Sequence, residues 1–131
     1  MSIEAVKRAL EGYGLADRVR DFEVSSATVE LAAEVLGTEG ARIAKTISLY
    51  DPHQEDTCIL IVTAGDTKVD NGKFKARFGF KPKMLTPDDA LRLTGHAVGG
   101  VCPFALPEGV TVYLDESLRR FDIVYPAAGT S

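Results

Sequence analysis

Thr46-Ile-Ser-Leu-Tyr50, Asp51-Pro-His-Gln-Glu-Asp56 and Thr57-Cys-Ile-Leu-Ile-Val-Thr63 together decide the fold. The two outer runs are rich in β-branched and aromatic residues, and the run between them is polar and holds a proline. The stretch therefore reads as a β-hairpin. Upstream, Ala41–Lys45 reads as a short connector of one helical turn, so Lys45 stands just ahead of the first strand. Downstream, Asp70-Asn71-Gly72 starts a basic helix carrying Phe74 and Phe78. Lys81-Pro-Lys-Met-Leu85 is a short extended piece, because the residue before a proline is pushed out of helical geometry.

Thr86-Pro87-Asp88-Asp89 has a threonine N-cap, a proline at the first helical position and acids at the positive dipole end. A helix follows, and Gly95 ends it. Gly109–Leu114 and Phe121–Tyr125 are two further strands. Towards the amino terminus, Ile3, Val6, Ala9 and Leu10 share one helix face, which Gly12 and Gly14 stop. Arg18–Val24 alternates as a half-buried strand, and Ser26 or Thr28 caps a helix that closes at Gly37. Helices and hairpin-joined strands alternate throughout. The expectation is an α/β domain of α+β character, with a mixed, partly antiparallel central sheet and flanking helices.

A length of 131 residues suits a single domain over 1–131, with a core that needs no staples. No uncharged apolar run reaches about 18 residues, so no membrane span is expected. The amino terminus lacks the layout of a signal peptide, and two cysteines are too few for a disulfide framework. A reducing cytoplasm is the simplest home. The net charge of −4 argues against a strongly basic nucleic-acid binder. Yet residues 68–83 hold six cations and one acid, a local +5 that leaves −9 elsewhere. Phe74, Phe78 and Phe80 interleave with those cations, as on a phosphate-contacting surface whose aromatics pack inward.

Cys102 and His96 suggest a nucleophile and base, but their spacing says nothing about reach, and no third orienting residue is evident. A free cysteine is more often a small buried hydrophobe. Cys58, Cys102, His53 and His96 lack metal-ligand spacing, so no metal and no cofactor are expected. The pairs Asp88/Asp89 and Asp115/Glu116 sit where helix caps and turns explain them. The run Gly99-Gly-Val-Cys-Pro103 is either a tight turn or a loop whose N–H groups cradle an anion. Lys45 could hold a phosphate as a point charge, although a solvated lysine is the usual outcome.

Taken in order, several segments resemble the YbaK/prolyl-tRNA editing family, whose stand-alone or synthetase-inserted domains hydrolyse misacylated tRNA. They are Phe22-Glu-Val with Thr28–Gly37; Ile43-Ala-Lys-Thr46; Leu60–Asp66; Thr94-Gly-His-Ala-Val-Gly-Gly-Val-Cys-Pro-Phe104; and Leu114–Leu118 ahead of Ala127-Ala-Gly129. The resemblance covers about residues 20–129 and implies the family's fold. It also implies that Lys45 engages the phosphate of the tRNA 3′-terminal adenosine. Gly99, Gly100 and the rest of the loop through Pro103 would hold the aminoacyl ester and position water. Lys45, Gly99 and Gly100 are thus the candidate catalytic residues. Phe22, Thr46, His96, Val98, Val101, Cys102, Pro103 and Gly129 are candidates for substrate binding, although no specific role carries over to His96. Ile47, Val98 and Val101 are candidates for the wall of a size-limited pocket.

The implied activity is trans-editing of alanyl- or cysteinyl-tRNA(Pro), with tRNA as partner, prolyl-tRNA synthetase as a second, and no DNA or membrane. The alternative is a non-catalytic module that binds a tRNA acceptor end or a synthetase. Two departures stand out. Some relatives carry Tyr where this chain has Phe22. The sequence also stops at Ala127-Ala-Gly-Thr-Ser131, where relatives usually continue into a further strand and helix, so either it is truncated or its pocket closes differently. A grip on few phosphates would give only a modest salt dependence.

Overall fold

A computed structural model describes residues 2–15, 18–19 and 29–129. Helix α1 spans Ser2–Glu11 and α2 spans Val29–Leu36; a 3₁₀ turn at Gly40–Arg42 then leads into strand β1, Ile43–Tyr50. Strand β2 (Cys58–Ala64), helices α3 (Asn71–Phe78) and α4 (Pro87–Thr94), strand β3 (Thr111–Leu114), a 3₁₀ turn at Glu116–Arg120 and strand β4 (Tyr125–Pro126) follow. The four strands form one mixed sheet in the order β3-β2-β1-β4. The β1–β2 hairpin is antiparallel, with Lys45 opposite Thr63 and Tyr50 opposite Cys58. Strand β3 runs parallel to β2, and β4 runs parallel to β1.

Every residue of β2 is buried, as a central strand covered on both faces requires. On one face Cys58 and Leu60 pack with Leu85, Ala90 and Leu93, so α4 covers that side. On the other, Leu49, Ile59 and Ile61 pack with Phe74, Phe78 and Phe80, so α3 covers it. The aromatics among the cations of 68–83 thus face inward, while Lys68, Lys73, Lys75, Arg77, Lys81 and Lys83 are exposed.

The helix punctuation forms as its chemistry dictates. The Asp70 carboxylate accepts from the Lys73 N–H at 2.8 Å, and the Thr86 hydroxyl accepts from the Asp89 N–H at 3.2 Å. Gly79 and Gly95 close α3 and α4 in left-handed geometry. Tyr50 ties β1 to the start of α4 by donating to Asp89 at 2.5 Å and accepting from the Thr86 N–H at 3.3 Å.

Two expectations need revision. Strand β1 starts at Ile43, so Lys45 lies inside the strand, because the connector needs only the turn at Gly40–Arg42. The strand expected over Phe121–Tyr125 shrinks to Tyr125–Pro126. Phe121 instead lies between the guanidinium groups of Arg42 and Arg120, 4.7 and 4.9 Å from its ring centre. The strand expected over Arg18–Val24 and the cap at Ser26 or Thr28 fall outside the described residues, except for Arg18 and Val19.

Candidate active site

The exposed edge of β1 organises the site. At one end Ala44 pairs with Pro126 of β4. At the other, the Leu85 N–H donates to the Ser48 carbonyl at 3.0 Å and the Tyr50 N–H donates to the Lys83 carbonyl at 2.9 Å. Alternate residues of a strand direct their amide groups to the same side, so those of Thr46 face the same edge. Among the described residues nothing pairs with them. The Thr46 hydroxyl is likewise buried and without a partner among the described residues.

A cleft of about 700 Å³ lies against this edge, and its lining includes Lys45, Thr46, Ser48, Val98, Gly99 and Val101. Tyr125–Ala128 and Met84 supply further wall, and Met84 and Val98 form an exposed apolar rim, each 64% exposed. Strand β1 sends side chains to both faces of the sheet, Thr46 and Ser48 to one and Lys45, Ile47 and Leu49 to the other. Lys45 lines two hollows, the main cleft and a neighbour of about 230 Å³ that also holds Ile47. Ile47, expected in the pocket wall with Val98 and Val101, lines only this neighbour. Among the described residues Lys45 has no carboxylate partner.

The glycine loop is held from behind. The Gly100 N–H donates to the Ala97 carbonyl at 2.9 Å, and the Gly129 N–H donates to the Gly100 carbonyl at 3.0 Å. Gly100 is thus buried in the turn, so its N–H does not face a ligand. The N–H groups of Gly99 and Val101 have no acceptor among the described residues. Gly99 adopts a φ of +94°, which favours glycine, and Ala105 is the described non-glycine residue at positive φ, +52°.

His96 and Cys102 stand behind the loop and are 1% and 0% exposed. His96 Nε2 lies 2.7 Å from the Phe104 carbonyl and 3.5 Å from Cys102 Sγ. A ring nitrogen facing a carbonyl donates to it, so Nε2 carries a proton; Nδ1 is buried with no partner among the described residues. Burial pushes the Cys102 thiol up to about 11, the opposite of what a nucleophilic cysteine needs. The sequence pair is real as a contact, but its chemistry is that of a structural clamp.

Of the expected site residues, Lys45, Thr46, Val98, Gly99 and Val101 line the main cleft. Gly100, His96, Cys102, Pro103 and Gly129 do not line it, and Phe22 lies outside the described residues. Sequence reasoning anticipated the N–H groups of the glycine loop but missed the open backbone edge at Thr46, which β1's alternation could have signalled. Among the described residues no group of three or more His, Cys, Asp or Glu side chains could hold a metal ion. No helix among them is long and apolar enough to cross a membrane.

Comparison with known proteins shows the family. The chain is 48% identical over 130 residues to YwhH of Bacillus subtilis (strain 168), itself described as uncharacterized; the match covers 99% of this chain and 82% of YwhH. The fold matches a crystal structure described as a candidate trans-editing enzyme for prolyl tRNA synthetase. There the TM-score is 0.86 at 31% identity, covering 98% of this chain and 81% of that one. It also matches the hypothetical protein APE2540, with a TM-score of 0.83 at 26% identity over 95% of this chain and 82% of that one. The model of the aminoacyl-tRNA editing domain matches residues 23–131, a span that includes β1, the glycine loop and every wall of the cleft except α1 and the segment after it. With tRNA thereby implied as the substrate, the chain belongs to the aminoacyl-tRNA editing domain family.

Proposed function

We propose that the protein is a deacylase that hydrolyses the ester of mischarged aminoacyl-tRNA, acting in trans on alanyl- or cysteinyl-tRNA(Pro). One observation carries the reading: in a member of an editing family, Lys45, Thr46 with its open edge, Gly99 and Val101 line one cleft. The likeness to a candidate trans-editing enzyme for prolyl tRNA synthetase supports the choice of tRNA(Pro). The work is done beside that synthetase, in the cytoplasm where tRNA is charged.

An aminoacyl ester of ribose is already activated, so its hydrolysis needs placement and charge stabilisation more than a protein nucleophile. Lys45 holds the phosphate of the terminal adenosine as a point charge. Water adds to the ester carbonyl carbon, and the oxyanion that develops is received by the unpaired N–H groups of Gly99 and Val101. The C–O bond to ribose then breaks, with the vicinal ribose hydroxyl relaying the water's proton to the leaving oxygen. The products are the free amino acid and a tRNA with its terminal hydroxyl restored. Val98 and Val101 limit the side chain admitted, which matters because one methylene is worth only about 1–3 kcal/mol in a synthetic site.

The test is amino-acid release from a panel of mischarged tRNAs by wild type and Lys45→Ala. Release from alanyl- or cysteinyl-tRNA(Pro) that drops about 100-fold or more in the variant is expected. Equal release by both proteins, or none by wild type on any substrate, overturns the proposal. Binding of tRNA without release would instead fit a non-catalytic acceptor-end or synthetase-binding module.

A further inference from the structure

The main cleft and the neighbouring hollow share two wall residues, Lys45 and Met84. The second hollow, about 230 Å³, is lined besides these by Ile47, Lys68, Asn71 and Pro82 among others. Its composition is mixed in a particular way. Met84, Pro82 and Ile47 supply an apolar floor, Lys45 and Lys68 supply positive charge, and Asn71 offers an amide with both donors and an acceptor. That set suits a nucleotide: a planar base on the apolar floor, a phosphate at the ammonium groups and a base edge at the amide.

Position and charge narrow the choice further. A strand whose 3′-terminal nucleoside occupies the main cleft has one way out past the wall shared with the second hollow, and Lys45 is on that wall. Lys68 opens the +5 segment over 68–83, whose cations are exposed and continue beyond the hollow along α3. The one acid of that segment, Asp70, is committed to capping the Lys73 N–H at 2.8 Å. Its carboxylate also closes the amino terminus of α3, so the anion here is met by lysines and not by the helix end.

We propose that this hollow binds the penultimate nucleotide of the tRNA acceptor end, with Lys45 and Lys68 on the linking phosphate, Asn71 on the base edge and Met84 and Pro82 under the base. The inference rests on the deacylase reading of the main cleft, and the two can fail separately. It makes the protein a reader of a dinucleotide, with Lys45 as the hinge between subsites.

The experiment compares two minimal substrates with the full chain: alanyl-adenosine and the alanyl ester of cytidylyl-(3′→5′)-adenosine. Wild type is expected to show a kcat/KM about tenfold higher for the dinucleotide, the scale of one base contact. In Lys68→Ala/Asn71→Ala that ratio falls towards one. Both residues are exposed, so folding is not at stake. Equal kcat/KM for the two substrates in wild type, or a ratio that persists in the double variant, overturns the proposal. If wild type hydrolyses neither ester, non-hydrolysable amide-linked forms of the two compounds take their place, and the deacylase reading is judged separately on mischarged tRNA. A dinucleotide affinity advantage lost in the double variant then upholds the subsite, and equal affinities refute it.

Discussion

His96 Nε2 and the Phe104 carbonyl are 2.7 Å apart, a hydrogen bond that spans the glycine loop from one end to the other. The imidazole is anchored in turn, since its backbone N–H donates to the Thr94 hydroxyl at 3.1 Å and that hydroxyl donates to the Ala90 carbonyl at 2.6 Å. The last turn of α4 is thereby coupled to the far side of the loop. His96→Ala leaves the Phe104 carbonyl with only the long thiol contact from Cys102 at 3.8 Å and opens a void beside it, at a cost of about 1–3 kcal/mol. Because the loop shifts while Lys45 stays, kcat should fall more than KM rises. His96→Gln, whose amide N–H can replace the donor, should recover part of kcat. Steady-state kinetics on a mischarged tRNA and urea unfolding together check this.

Cys102 presents the converse case. Its thiol is held up near 11 by burial and lies behind the loop, so neither its ionisation nor its place suits attack on the ester. Cys102→Ser should keep deacylation within a fewfold of wild type. In the folded protein a thiol-specific reagent at pH 8 should label it only as fast as the chain opens. Abolished turnover in the serine variant would restore the thiol-hydrolase reading.

Gly65 sits where β2 leaves the sheet, pressed on the turn before β1. A Cβ added there would lie 2.0 Å from the Gly40 carbonyl oxygen and 2.8 Å from that of Ile43, both backbone atoms that cannot yield. Gly65→Ala should therefore destabilise by about 1–3 kcal/mol or more, read as a lower urea midpoint. Gly79→Ala, with nothing near its Cβ but a φ of +84°, carries only the backbone strain of that conformation and should cost less.

Asp66 and Arg120 form a two-pronged ion pair at 2.5 and 3.0 Å across 54 residues, linking the end of β2 to the second 3₁₀ turn. The guanidinium hydrogen bonds hold the carboxyl down at about 2. An unfolded aspartate titrates near about 3.9, so between these values the unfolded chain binds more protons. The pair's contribution is thus complete above about pH 4 and is lost as pH falls through about 2. Both groups are half-exposed, so the effect is small. Urea midpoints between pH 5 and pH 2 should fall more steeply for wild type than for Asp66→Asn.

The hairpin and the helix punctuation were legible because their causes are local. A β-branched run, Asp70 as an N-cap, Thr86-Pro87 and Gly95 each act within a few residues. The basic segment's inward phenylalanines could be read the same way. Lys45 and the loop were legible as residues but not as a constellation. Which strand edge stays open depends on β4 and on Met84, both remote in sequence, and β4 pairs through only two residues. Nor does a spacing of six residues reveal that His96 turns its ring to a carbonyl, or that Gly100 spends its N–H on Ala97. Those outcomes are set by packing between α4 and the loop, and no periodicity encodes them.

A bare strand edge normally invites another strand, and with it self-association. Among the described residues, the stretch of β1 whose outer edge lacks a backbone partner is confined to Lys45–Ile47, stopped by Pro126 on one side and the segment through Met84 on the other. It is too short for a neighbouring molecule to zip onto, and Lys45 plants a charge at its start. The fold can thus leave peptide-bond donors and acceptors uncovered for a small ligand without making the surface adhesive, and a change of Lys45 to a large aliphatic residue would threaten colloidal behaviour as well as chemistry.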